Sequence, residues 1–158
     1  MKKFYTSINK FMWTHPFIKS CTHFLSRFCP YMVAIFYMLF LLKIYLDRPN
    51  NLFILAAEPI GVISITLILR IIINRQRPSE KYNLLPIDGS KKTGHSFPSI
   101  HVATSLSIAL AVLRYGPNMG LLLFTLTIFI TIARLLSGVH YISDIIASIS
   151  IALIINII

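Results

Sequence analysis

The stretch "ARLLSGVHYISD", residues 133–144, lies between two runs built almost wholly of apolar and small residues. It sets Arg134, His140 and Asp144 within eleven residues of one another. An ionisable side chain at membrane depth is costly, so such groups face a protein interior, a pore or a functional site. Whether the flanking runs are membrane helices therefore decides the fold.

Composition answers first. Of the 158 residues, 56% are hydrophobic and only 13% charged, against roughly 25% charged in soluble domains. The length suits one domain, 1–158. Five apolar spans are expected, at 30–46, 52–74, 100 to about 114, about 119–136, and about 139 to the end. The predicted fold is all-α: an integral membrane helical bundle of about five transmembrane helices (30–158) with an N-terminal amphipathic segment (1–29). That segment carries scattered Lys and Arg and lacks the apolar core of a cleavable signal. It is expected on the membrane surface, with Phe4, Tyr5, Phe11, Trp13, Phe17 and Phe24 toward lipid. Cys21 and Cys29 make no disulfide framework and no metal pattern, which leaves their redox state open.

The net charge of +10 comes from 15 basic residues against 5 acidic ones. The basic residues sit in short segments between apolar runs, which fits anionic headgroups or a phosphorylated substrate rather than nucleic acid. The one long connection, residues 75–99, "RQRPSEKYNLLPIDGSKKTGHSFPS", is polar, basic and rich in Pro and Gly, hence a loop. His95, Lys91 and Lys92 read as ordinary loop residues, with gripping a headgroup as the sharper alternative. Glu58, beside Pro59 within the second span, is expected to satisfy a neighbouring helix.

The charged residues fall into three clusters. Arg70 and Arg77, seven apart, share a face near the end of span two, before Pro78. Pro98, Ser99, Ile100 and His101 open span three, and free N–H groups at a helix start favour an anion. Arg134 ends span four, and His140 and Asp144, at i,i+4, begin span five, where the carboxylate can accept the ring N–H. Because spans alternate in direction, these ends share one membrane face. Each group has a plainer reading: arginines as flanking charges, Ser99 as an N-cap, Asp144 as a cap. Together they suggest a phosphate site with a histidine nucleophile and a second histidine as acid.

These clusters resemble the signature of the type 2 phosphatidic acid phosphatase (PAP2) superfamily, K-x6-R-P, P-S-G-H and S-R-x5-H-x3-D. Here they read Arg70-x6-Arg77-Pro78, Pro98-Ser99-Ile100-His101 and Ala133-Arg134-x5-His140-x3-Asp144. The chain looks like the short bacterial membrane members. Arg70 stands for the family lysine, Ile100 for glycine and Ala133 for serine. The resemblance implies that His140 is a nucleophile forming a phosphohistidine, that Asp144 orients it, and that His101 serves as acid and then base. It implies that Arg70, Arg77, Ser99, Ile100 (through its N–H) and Arg134 hold the phosphate, without metal or other cofactor. The implied partner is a lipid phosphate in the bilayer: phosphatidic acid, phosphatidylglycerol phosphate or undecaprenyl pyrophosphate.

Two other classes stand beside this one. Vanadium haloperoxidases resemble the same clusters but are larger soluble proteins. A non-catalytic scaffold or transporter derived from the fold draws on the Ile100 and Ala133 departures. A cell membrane location with the active site on the extracytoplasmic face is expected from bacterial relatives, whereas the basic N-terminal segment and 75–99 loop pull the other way by the positive-inside rule. Oligomeric state is left open.

Overall fold

The computed structural model of the chain describes residues 1–89 and 93–157; Lys91 and Lys92 lie outside the described residues. The structure is all-helical: α1 (Lys2–Thr14), α2 (Pro16–Asp47), a 3-10 turn (Pro49–Asn51), α3 (Leu52–Ile73), α4 (Pro78–Lys81), α5 (Ile100–Leu113), α6 (Pro117–Leu136) and α7 (Ile142–Ile157). Three segments, Pro16–Asp47, Pro49–Lys81 and Pro117–Leu136, contain helix long and apolar enough to cross a membrane, while α5 and α7 are shorter apolar helices.

α5 is the central element. It packs against α6, α3 and α7, and its buried residues, from Val102 to Val112, lie all around its axis. Its lack of a polar face suits a helix surrounded by others. The outer helices show their apolar surfaces outward, as at Phe53, Ile71, Leu46 and Ile146, each more than half exposed, the pattern of a bundle whose solvent is lipid.

The first boundary differs from expectation. α2 does not begin at Pro30 but runs 32 residues, from Pro16 through Pro30 to Asp47, or about 48 Å at 1.5 Å per residue. That exceeds the ~30 Å hydrocarbon core, so the turns carrying Lys19, His23 and Arg27 extend beyond the apolar run. A helical proline cannot bond the carbonyl four residues back. For Pro30 that carbonyl is Ser26, and the Arg134 guanidinium takes it at 3.0 Å. Pro59 in α3 repeats the device: the Leu55 carbonyl accepts the Tyr37 hydroxyl at 2.9 Å. Both prolines persist because a neighbouring helix supplies the missing donor.

α1 is the surface segment proper, ended by His15 in a non-helical conformation before Pro16. Phe4, Phe11 and Trp13 are exposed, but Tyr5 is not. Its ring lies 5.6 Å from Tyr141 and 6.2 Å from Tyr82, and its hydroxyl accepts the Ile142 N–H at 3.3 Å. Asn9 donates to the Leu85 carbonyl at 2.7 Å. α1 thus lies against the end of the bundle where the charged clusters meet. At the other end Glu58 pairs with Arg114 at 2.5 Å, and Arg114 also donates to the Asn156 carbonyl.

Candidate active site

A cavity of about 700 Å³ opens at the α1 end of the bundle, lined by residues including Arg70, Arg77, Ile100, His101, Arg134 and His140. Six of the eight residues singled out in the sequence therefore share one space; Ser99 and Asp144 lie behind its wall, both fully buried.

The two N-proximal arginines do not reach the cavity on one helical face. α3 stops at Ile73, where Asn74 adopts the left-handed conformation (φ 36°), so Arg77 stands outside it, as the N-cap of α4. The connecting loop folds back on this corner. Arg70 donates to the Pro98 carbonyl at 3.3 Å and Arg77 Nε to the Gly94 carbonyl at 3.1 Å. Gly94 has φ +61°, and a Cβ there would lie 2.6 Å from Asn74 Oδ1; only glycine fits that approach. His95 is tied down too, its Nδ1 2.9 Å from the Arg70 carbonyl. Arg134, on the last turn of α6, pairs with Asp88 at 3.3 Å besides holding Ser26.

His140 lies in the turn before α7, not in the helix. Its Nδ1 is 2.7 Å from the Ser96 carbonyl. A carbonyl can only accept, so Nδ1 carries the proton and Nε2 keeps its lone pair in the neutral ring. Asp144 Oδ2, expected to take that proton, is 3.6 Å away, beyond a hydrogen bond. Its oxygens serve others: Oδ2 accepts from Ser96 Oγ at 2.5 Å and the Tyr141 N–H at 2.8 Å, and Oδ1 from Arg75 at 2.7 Å. The Tyr141 bond is half of a capping box at the start of α7. Asp144 is thus a cap and an anchor of the histidine's surroundings together. Burial pushes the His140 imidazole below its ordinary pKa, outweighing the pull of Asp144.

His101 faces the cavity from the first turn of α5, a different element from His140. The start of α5 is locked to α7 by Ser148, whose hydroxyl accepts the Ser99 N–H at 2.7 Å and lies 3.0 and 2.6 Å from the Ser99 and Asp144 carbonyls. One helix-start amide expected for an anion is therefore spent on α7. The Ser99 hydroxyl is buried without a partner among the described residues. Among those residues no group of three or more His, Cys, Asp and Glu is placed to hold a metal ion.

Sequence reasoning missed Ser96, Arg75, Asp88 and Ser148. Arg75 and Ser96 each lie two residues before a motif residue, Arg77 and Pro98, and only that proximity could have flagged them.

Residues 50–158 match the model of the PAP2 superfamily. The fold is similar to that of Aquifex aeolicus LpxE, with a TM-score of 0.75 and 21% identity over 98% of this chain and 91% of that one. It is also similar to a transmembrane PAP2 type phosphatidylglycerolphosphate phosphatase from Bacillus subtilis, with a TM-score of 0.66 and 16% identity over 98% of this chain and 82% of that one. No curated protein matches in sequence.

Proposed function

We propose, from the premise that the chain belongs to the PAP2 superfamily, that it is a metal-independent membrane phosphatase acting on a lipid phosphate monoester or pyrophosphate. The observation that carries this reading is one cavity lined by the guanidiniums of Arg70, Arg77 and Arg134, with Arg27 as a fourth, and by two imidazoles, with His140 held as the tautomer whose Nε2 keeps its lone pair.

In this mechanism Arg70, Arg77 and Arg134 bind the non-bridging oxygens, assisted by the Ile100 N–H. Ser99, expected to join them, lies behind the cavity wall with its N–H on Ser148 and fixes the start of α5 instead. Guanidinium forks suit phosphate and stabilise the charge that spreads over it in the transition state. His140 Nε2 attacks phosphorus as the bond to the leaving oxygen breaks, and His101 gives that oxygen its proton. Water then attacks the phosphohistidine, His101 takes the water's proton, and the N–P bond breaks to release inorganic phosphate. Asp144 keeps the His140 turn in place throughout. The whole chain acts as one PAP2-like domain, with the lipid tail among the helices and the active face extracytoplasmic.

Phosphatidic acid, phosphatidylglycerol phosphate and undecaprenyl pyrophosphate all present a group that this arginine cluster can grip. A phosphate-release screen of the three in detergent tests the reading. Turnover of at least one, abolished by His140→Ala, is expected. A folded protein that turns over none of them would favour a non-catalytic scaffold or transporter. Cysteine-accessibility labelling of the 75–99 loop in oriented membranes tests the sidedness.

A further inference from the structure

The carboxylate four residues after His140 lies within ion-pair reach of it, at 3.6 Å, but beyond a hydrogen bond, while the ring's Nδ1–H goes to a main-chain carbonyl at 2.7 Å. That carbonyl belongs to Ser96, whose own hydroxyl donates to Asp144 at 2.5 Å. Asp144 therefore fixes the imidazole at one remove. Its other oxygen is met by Arg75 Nη1 at 2.7 Å, and the same nitrogen is 2.7 Å from Ser143 Oγ. The Arg75 guanidinium lies 3.9 Å over the Tyr141 ring, a stacking contact that holds it between the start of α7 and the nucleophile's turn.

A fully buried carboxylate with no counter-ion, this close to an imidazole, would favour the imidazolium, and an imidazolium has no lone pair with which to attack. Arg75 supplies the counter-ion. We propose that Arg75 is a positioning residue for His140: it clamps Asp144 together with Ser96 and balances its charge, so that the carboxylate orients the imidazole without protonating it. This rests on the reading of His140 as the nucleophile.

The geometry makes the charge effect separable from the structural one. Without Arg75, Asp144 keeps its bonds from Ser96 Oγ and the Tyr141 N–H, so the carboxylate stays near His140 with its charge uncovered. The other charged or titratable groups around His140 remain unchanged: Arg134 from α6, Arg77 before α4, and, around the same cavity, Arg70 from α3, Arg27 from α2, His101 from α5 and Asp88 from the loop. Arg75 itself is about a third exposed, at 33%, so its truncation opens no hole in the bundle core.

The test is a histidine NMR titration of the detergent-solubilised full chain carrying 15N-labelled histidine, with the His140 signals assigned by their loss in His140→Gln. Arg75→Gln is expected to move the His140 midpoint to higher pH by on the order of one unit. Arg75→Lys, which keeps the charge, should return it toward wild type. With p-nitrophenyl phosphate as the soluble probe, the acid limb of kcat/KM should move with the midpoint while KM changes little. An unmoved midpoint in Arg75→Gln, or identical midpoints in the Gln and Lys variants, would overturn the proposal. So would a raised KM with an unmoved midpoint, which would make Arg75 a headgroup ligand. Arg75→Met, whose apolar stem still covers Tyr141, removes the same charge should Arg75→Gln fail to fold. The titration needs no turnover: an inactive protein whose midpoint shifts sinks the phosphatase reading and supports the clamp, and an active one whose midpoint stays sinks the clamp alone.

Discussion

Removing the Arg70 guanidinium is the most direct test of whether the cavity grips a phosphoryl group. Arg70 lines it beside Arg77 and Arg134, and among the described residues its guanidinium donates to the Pro98 carbonyl at 3.3 Å. That is at the long end for an N–H···O contact, so little local structure depends on it. Arg70→Ala should then remove chiefly one charge-assisted bond to substrate, about 1.5–3 kcal/mol. At about 1.4 kcal/mol per decade this is a loss of roughly 10- to 150-fold in kcat/KM. Arg70→Lys restores the charge and the residue usual in the family, but as a compact ammonium without the planar fork; a loss smaller than that of the alanine variant is expected. The assay is the initial rate of phosphate release from phosphatidic acid in mixed micelles, with circular dichroism melts to confirm equal folding. An alanine variant as active as wild type would make Arg70 a flanking charge and refute the reasoning.

Activity should survive EDTA and be inhibited by vanadate, which mimics the five-coordinate phosphoryl group; loss in EDTA that Mg²⁺ restores would sink the metal-independent assignment. His140→Ala should abolish phosphoenzyme formation, whereas His101→Ala should still form the intermediate from substrates with good leaving groups and hydrolyse it slowly. Rapid-quench labelling with radioactive phosphate reads both, and label on His140→Ala but not on His101→Ala would reverse the roles. Because burial lowers the His140 pKa, the acid limb of kcat/KM should have its midpoint below about 6.5, and a midpoint above that would contradict a neutral buried nucleophile. Stability carries the same sign: below the ordinary histidine value the unfolded chain binds a proton that the folded chain refuses. Stability is therefore lost as pH is lowered below the ordinary value, by up to about 1.4 kcal/mol per unit, until the lowered value is reached, as denaturation midpoints across pH would show.

The order of apolar runs and the spacing of charged residues were enough to expect α3, α5, α6 and α7 and to gather the three clusters at one end. Both signals are local: hydrophobic length marks a membrane helix, and alternation of direction then determines which ends meet. The long α2 was not legible, because a proline between a charged stretch and an apolar one reads as a helix start. Whether the helix passes through Pro30 depends on a donor for the Ser26 carbonyl, and that donor, Arg134, lies 108 positions away.

The same division runs through the site. Sequence alone was enough to gather Arg70, Arg77, His101, Arg134 and His140 as candidates, since they appear in ordered motifs, and the structure brings all five to one cavity. It could not determine how His140 is held. The i,i+4 spacing of His140 and Asp144 suggests a direct bond only if both lie on one helix, and His140 lies before α7. Tertiary structure brought Ser96 from 44 positions away to accept the ring N–H, and Arg75 from 69 positions away to meet the carboxylate. Such partners lie in irregular loops, where no periodicity ties position to direction, and they meet only once α3, α5 and α7 have packed together.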